Sequence, residues 1–176
     1  MKIKSVSHVG LTVSNFEASV KWYHDYFGFK LISEQVLEAE LVEKLWPLYQ
    51  VKNSSVRLGF LRAPKGQVVE IFEFSNQEPS ELRPWNIPGP SHFTLDVKNV
   101  PKWHHDLKND LNFIIEPQET DGNHWVFLRD PDGNLIELID LKLNYFIIRV
   151  LGGIAGTFMK RTNFKDYYKE PLNEVR

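Results

Sequence analysis

The sequence predicts an α+β fold of two tandem β-α-β-β-β modules followed by a C-terminal helical extension. Three observations carry that prediction. FLRAPKGQVVEIFEF from Phe60 is repeated as FLRDPDGNLIELIDL from Phe127, at a constant offset of 67 residues. SHVGLTVSNF from Ser7 matches SHFTLDVKNV from Ser91 at an offset of 84, which also lays Phe27-Gly28-Phe29 over Leu111-Asn112-Phe113. Between the halves, SNQEPSELRPWNIPGP holds four prolines and a glycine, the composition of a linker. The two offsets differ by 17 residues, assigned to an insertion in the first half around Glu34 to Asn53. The predicted organisation is a first module over 4–75, a linker over 76–90, a second module over 91–141 and an extension over 142–176.

Each element follows from local pattern. Val9, Leu11 and Val13 alternate with His8, Gly10 and Thr12, the period of a strand. Ser14 then reads as an N-cap with Glu17 completing a capping box. Phe16, Val20, Tyr23 and Phe27 recur at helical spacing, and Gly28 suits the left-handed residue that ends a helix. Pro101 fits the first turn of the second module's helix, which carries Trp103 and Leu107. LISEQV, SVRLGFLR and QVVEIFEF read as three strands, matched by FIIEP, HWVFLRD and NLIELIDL. Pro64-Lys65-Gly66 and Pro131-Asp132-Gly133 turn the last two strands of each module. The insertion reads as helical up to Pro47, and the chain from Leu141 as an added helix with a polar, aromatic-containing tail.

Composition excludes several classes of function. A chain of 176 residues with ordinary apolar and charged fractions is about one soluble domain. With no cysteine there is no disulfide framework, thiol nucleophile or Cys-ligated zinc. Net charge is −2; the segment from Lys142 carries seven basic and three acidic side chains, so it is +4 and the remainder −6. That remainder has no basic stripe for nucleic acid. The N-terminus lacks an apolar run with a cleavage site, and a cytoplasmic location is the expected default. YFIIRVLGGIAGTFM is too short and too interrupted to span a bilayer. It reads either as a helix packed on the body or a partner subunit, or as a membrane-surface helix flanked by Arg149, Lys160 and Arg161.

Strand parity places the chemistry. His8 with Gly10 and Thr12, and His92 with Thr94 and Asp96, fall on the face opposite their module's helix. Glu70 and Glu137 take the same face of the last strands, while Glu73 and Asp140 take the other, nearer the strand ends. A carboxylate buried mid-strand without a partner costs several kcal/mol. Two histidines and two such acids compensate one another around a divalent cation. The other histidines, His24, His104 and His105, are expected on helices facing solvent, and His124 either in the pocket or structural. Arg57 and Arg62 are candidate cationic contacts for a substrate, and Trp46 and Tyr49 candidate covers for an apolar one.

This pattern resembles the vicinal oxygen chelate superfamily, which includes glyoxalase I, extradiol dioxygenases and bleomycin-type resistance proteins. The residues that carry the resemblance are SHVGLTVSNFEASVKWYHDYFGFKL, VVEIFEF, SHFTLDV and, most specific, DPDGNLIEL, over about Lys4 to Leu141. The resemblance implies a cupped mixed sheet around a central site, with His8, Glu70, His92 and Glu137 as ligands of one divalent ion (Zn, Ni, Co, Mn or Fe). It implies a glyoxalase-like lyase or isomerase acting on a small substrate chelated through adjacent oxygens, with proton loss to an enediolate. Glu137 is the expected base and Glu70 a ligand or second proton carrier. Alternatives are an extradiol-type dioxygenase using His8, His92 and Glu137 with Fe(II), or a non-catalytic ligand-binding cup. A homodimer is also implied, with the ligands drawn from one chain or from two.

Overall fold

In a computed structural model the described residues are 3–78 and 84–162. The centre of the linker and the polar tail after Thr162 lie outside the described residues. Two mixed sheets account for most of the chain. The first has the order β1-β4-β3-β2, built from β1 (His8–Thr12), β2 (Lys30–Leu37), β3 (Val56–Arg62) and β4 (Val68–Phe74). β1 runs parallel to β4, with Gly10 opposite Glu70, and the other pairings are antiparallel. The second has the order β5-β9-β8-β6, from β5 (Phe93–Asp96), β6 (Asn112–Phe113), β8 (Asn123–Arg129) and β9 (Leu135–Ile139). A further strand, β7 (Gln118–Thr120), pairs with β8.

α1 (Phe16–Phe27) ends as expected, with Gly28 in the left-handed conformation at φ 69°. Its start differs. The N-cap is Asn15, whose side chain accepts from Ala18 N, while the Ser14 amide donates to Asp132 Oδ1. Glu17, expected in a capping box, pairs with Arg57 instead. Asn15 is one residue nearer the first buried helical position, Phe16, and an asparagine oxygen caps as well as a serine's. α4 (Val100–Leu107) starts with Pro101 in its first turn and Asn99 as N-cap.

The second module departs from prediction in the stretch FIIEP. Only Asn112–Phe113 is strand, and a hairpin forms just beyond it. Its loop is Asp121-Gly122, both at positive φ (50° and 76°), the combination a type I′ two-residue turn requires. The Asp-Gly signal was present in the sequence. The insertion forms α2 (Ala39–Lys44) and then α3 (Trp46–Tyr49), so Pro47 begins a new helical turn rather than ending the helix. Val42 packs with Val56 and Leu58, against Tyr49, Phe72 and Phe74, so Tyr49 belongs to a core cluster.

By compactness the chain divides into Met1–Phe93 with Arg129–Ile136, and Thr94–Leu128 with Glu137–Arg176. In the first unit Val13, Phe16, Tyr23, Phe29, Leu61 and Ile71 are buried. Gly59 is required there, because a Cβ would stand 2.6 Å from the Phe16 ring. In the second, Val100, Leu111, Val126, Leu128 and Leu138 are buried. His104, expected in solvent, is buried one turn after Val100 on the inner stripe of α4, with its ring 4.8 Å from that of Phe113. His24 and His105 are exposed as expected.

Candidate metal centre

The strand pairing positions the first acid and histidine. β1 lies beside β4, and the expected alternation holds along β4: Val69 and Ile71 are buried, whereas Val68, Glu70 and Phe72 are partly open. In β1 the alternation is weaker, because Val9 remains 41 % exposed and Leu11 is only partly covered, while Val13 just past the strand is fully buried. His8 Nε2 stands 3.0 Å from Glu70 Oε2, with the histidine side chain 37 % and the glutamate 13 % exposed. The imidazole also faces the Phe60 ring at 5.4 Å. Gly10, opposite Glu70, has no side chain to compete for the acid, and a Cβ there would press on Phe72 at 3.2 Å.

The far nitrogen of each histidine is held in the same way. Ser7 Oγ lies 2.9 Å from His8 Nδ1, and Ser91 Oγ lies 2.9 Å from His92 Nδ1. The hydroxyl serves either tautomer. Donating to Nδ1, it leaves an Nε2–H to donate to the acid; accepting from Nδ1–H, it leaves the Nε2 lone pair for a metal. His92 is in addition stacked on the Trp85 ring at 5.3 Å and 18°. Glu137 Oε2 accepts from the Thr94 hydroxyl at 2.8 Å, Thr94 standing where the first module has Gly10.

The structure therefore brings His8 and Glu70 together and describes His92 and Glu137 each with its own partners. Among the described residues, no three His, Asp or Glu side chains form a group that could hold a metal ion. The pair that is assembled fits one. Two ligand atoms about 2.1 Å from a common ion and at right angles to it stand about 3.0 Å apart. That is the separation of Nε2 and Oε2 here.

The remaining candidates have other employment. Arg57 pairs with Glu17 and Glu34 and lies over the Phe16 ring. Arg62 donates to Ala63 O and Arg129 to Gly133 O, each arginine closing its own module's turn. His124 pairs with Glu119, its cross-strand partner on β7. Trp46 is half-exposed beneath the Lys52 ammonium.

Asp130, the first residue of the most specific motif, is structural. It is 4 % exposed, and its carboxylate accepts from Tyr23 Oη, Asn134 Nδ2 and the amides of Asp132 and Asn134. Burial raises its pKa, against the pull of those donors. The Tyr23 phenol is pushed well up by burial and by the acid beside it. Strand parity put Thr94 on the face of His92 without giving it a role, and it did not single out Ser7 and Ser91. The recurrence of Ser before each His was the available signal.

The fold has counterparts among known proteins. Residues 5–138 match the family model described as the Glyoxalase/Bleomycin resistance protein/Dioxygenase superfamily, and the chain belongs to that family. It is 27 % identical over 143 residues to YwkD of Bacillus subtilis, an uncharacterized protein, covering 80 % of this chain and 99 % of that one. Among solved structures it is similar to a glyoxalase family protein of Bacillus cereus (TM-score 0.63, 18 % identity, covering 80 % and 95 % of the two chains). It also resembles the trypanothione-dependent glyoxalase I of Leishmania major (TM-score 0.55, 22 %, covering 92 % and 99 %). A third similar structure is the fosfomycin resistance protein FosX of Listeria monocytogenes with Mn(II) and sulfate (TM-score 0.53, 15 %, covering 81 % and 97 %). At these identities the structures speak for the fold, which they share. No helix among the described residues is long and apolar enough to cross a membrane.

Proposed function

We propose that the chain is a metal-dependent lyase or isomerase of the glyoxalase kind, acting on a small substrate that presents two adjacent oxygens. His8, Glu70, His92 and Glu137 would hold one divalent ion, gathered within one chain or across a homodimer. The observation that carries the reading is the His8–Glu70 pair at 3.0 Å with its serine-held Nδ1, because the second module repeats the Ser-His dipeptide and supplies a second acid. Two imidazoles and two carboxylates suit Zn, Ni, Co, Mn or Fe(II). Bound, such an ion supplies Lewis-acid polarisation of the substrate oxygens and so acidifies the neighbouring C–H.

The chain's own residues do the proton work. Glu137 takes the proton from carbon, its carboxylate oriented by the Thr94 hydroxyl at 2.8 Å. Glu70, mostly shielded and paired with His8, is a ligand and the second proton carrier. The serine hydroxyls hold both imidazoles in one orientation. An extradiol dioxygenase needs one carboxylate and open positions for oxygen, so the engagement of Glu70 by His8 weighs against that chemistry.

The test is elemental analysis of the purified protein as wild type and as Glu70→Ala and Glu137→Ala, beside turnover of hemithioacetals. About one Ni, Co or Zn per chain, lost in the variants, with turnover lost in Glu137→Ala, is the expected result. Iron with oxygen uptake on catechols would replace the lyase reading. No metal after reconstitution would leave a ligand-binding cup.

A further inference from the structure

The C-terminal extension is the part of the molecule that the metal centre does not use, and it lies past the end of the family match at residue 138. It is a continuous helix of three pieces: α5 (Leu143–Phe146), a π-turn (Ile147–Leu151) and α6 (Gly152–Arg161). Its start is tied to the turn before β8: Lys142 Nζ donates to Gly122 O at 2.5 Å, and Asn144 Nδ2 donates to Asn123 Oδ1 at 3.2 Å. Beyond that its main contacts are with itself. Among the described residues none of its side chains is fully buried, while Tyr145, Ala155 and Met159 are half-buried.

What it exposes is organised. Phe146, Val150, Ile154 and Phe158 recur every four residues, with Leu143 and Ile147 in the adjoining row. A four-residue repeat drifts around a straight α-helix of 3.6 residues per turn, and the wider π-turn takes up that drift. These six residues therefore stay near one stripe, with Ile148 and Leu151 exposed outside it. These six side chains are between 42 % and 74 % exposed. The next row reads Tyr145, Arg149, Gly153, Thr157 and Arg161, with Lys160 beside it. From Lys142 to Lys165 there are five basic residues and no acidic one, while the body before Lys142 carries −6.

We propose that this helix docks on an anionic lipid surface, lying in the interface with the Phe146–Phe158 stripe in the acyl boundary. A helix with cations along its polar side and an exposed apolar stripe has the properties that surface selects. Charge chooses the occupant. A second copy of the helix would set the same cations against one another, whereas acidic headgroups match them, and the negative body is held away from the surface. Docking of this kind would hold a globular site beside a membrane without a spanning segment.

The experiment is co-sedimentation of the full chain with vesicles of phosphatidylcholine alone and of phosphatidylcholine mixed with phosphatidylglycerol. Analytical ultracentrifugation without lipid runs alongside. Binding is expected to the mixed vesicles only and to be lost in high salt. Arg149→Glu should weaken it by more than roughly fivefold, the scale of one cation at an anionic surface. The double variant Phe146→Asp/Phe158→Asp should abolish it while leaving the metal content and near-ultraviolet spectrum of the body unchanged. Absence of binding to mixed vesicles overturns the proposal, as does equal binding to phosphatidylcholine alone. A lipid-independent dimer that the double variant dissolves, with no vesicle binding, also overturns it and assigns the stripe to a second copy of the chain.

Discussion

Outside the first module's insertion and the second's β7–β8 hairpin, the two modules share a frame of turns and strand ends and differ in which side chains were added to it. The turn Ala63–Gly66 and the turn Asp130–Gly133 are closed by the same two bonds. Ala63 N donates to Gln67 O and Gly66 N to Ala63 O in one; Asp130 N donates to Asn134 O and Gly133 N to Asp130 O in the other. The acids at the ends of the last strands also match. Glu73 Oε1 accepts from the first amide of α1, Phe16 N, at 3.1 Å, and Asp140 Oδ2 accepts from the N-cap amide of α4, Asn99 N, at 3.0 Å. Against this common frame, Asp130 stands where the first module has Ala63, and Thr94 where it has Gly10. The frame needs the glycines, the serine-histidine strands and the end acids. The substitutions on it tune one copy for stability and set the partner of each site acid.

Removing Asp130 is the most severe way to break that comparison. Asp130→Ala recreates the first module's turn residue, so the turn should persist. Four hydrogen bonds are lost, however, at about 1–3 kcal/mol for each donor that stays buried and unsatisfied, with Asn134 Nδ2 keeping Thr12 O as its other acceptor. A loss of about 3 kcal/mol or more in urea unfolding is expected. A loss below about 1 kcal/mol would mean that the carboxylate is dispensable to the fold.

Tyr23→Phe sharpens the same point with a smaller effect, about 1.5–3 kcal/mol for one hydrogen bond to a charged group. Its pH dependence follows from Asp130. Burial raises that acid's folded-state pKa, so its ionisation works against folding; the stability it contributes is complete below the unfolded value and lost as pH rises through the folded one. The phenol opposes the shift by binding the carboxylate. Losing it raises the folded value further. The gap between wild type and variant should therefore widen as pH rises through the carboxylate range and narrow on acidification. A gap that is flat from acid to neutral pH would remove Asp130 as the partner that matters.

Much of this was legible beforehand because the repeat is legible. Gly28, Pro101 and the two turns announce themselves through residue types whose backbone demands are local, and β4 shows the alternation its sequence predicts. What stayed hidden depends on long-range partners. Strand parity put Glu73 and Asp140 on the face away from the ligand candidates, but nothing local says that a helix amide waits for each. His104 looked like any helical histidine, and its burial depends on the Phe113 ring of the next strand. The role of Asp130 is invisible without Tyr23, more than a hundred residues earlier. Among the site residues, the four ligand candidates came from recurrence together with strand parity. The serines recur too, but their role as orienting hydroxyls did not show, since a serine or threonine in a strand has no local signature of a second role.

Thr94 tests whether the added hydroxyl matters to the site. Thr94→Val keeps the β-branched shape and strand preference but deletes the donor to Glu137 Oε2. The expected outcome is a fold of unchanged stability and metal affinity reduced about tenfold, the lower end for loss of an outer-shell partner. Thr94→Ser, which restores a hydroxyl, should recover most of it. Equal metal affinity in Thr94→Val would reduce the Gly10/Thr94 difference to packing.

Glu73→Gln and Asp140→Asn give the smallest expected effect and the cleanest test of the shared frame. Each amide oxygen can still accept from the helix amide that the acid now holds, so what is lost is the negative charge at a helix N-terminus, about 0.3–1 kcal/mol. Because both acids do the same thing in their own module, the two losses should agree within error, and in the double variant they should add. Both should fade in high salt, which screens a charge against the helix dipole but leaves the hydrogen bond intact. A large loss in only one variant would mean that the two modules do not use their recurring end acids alike. The repeat would then be a repeat of backbone alone.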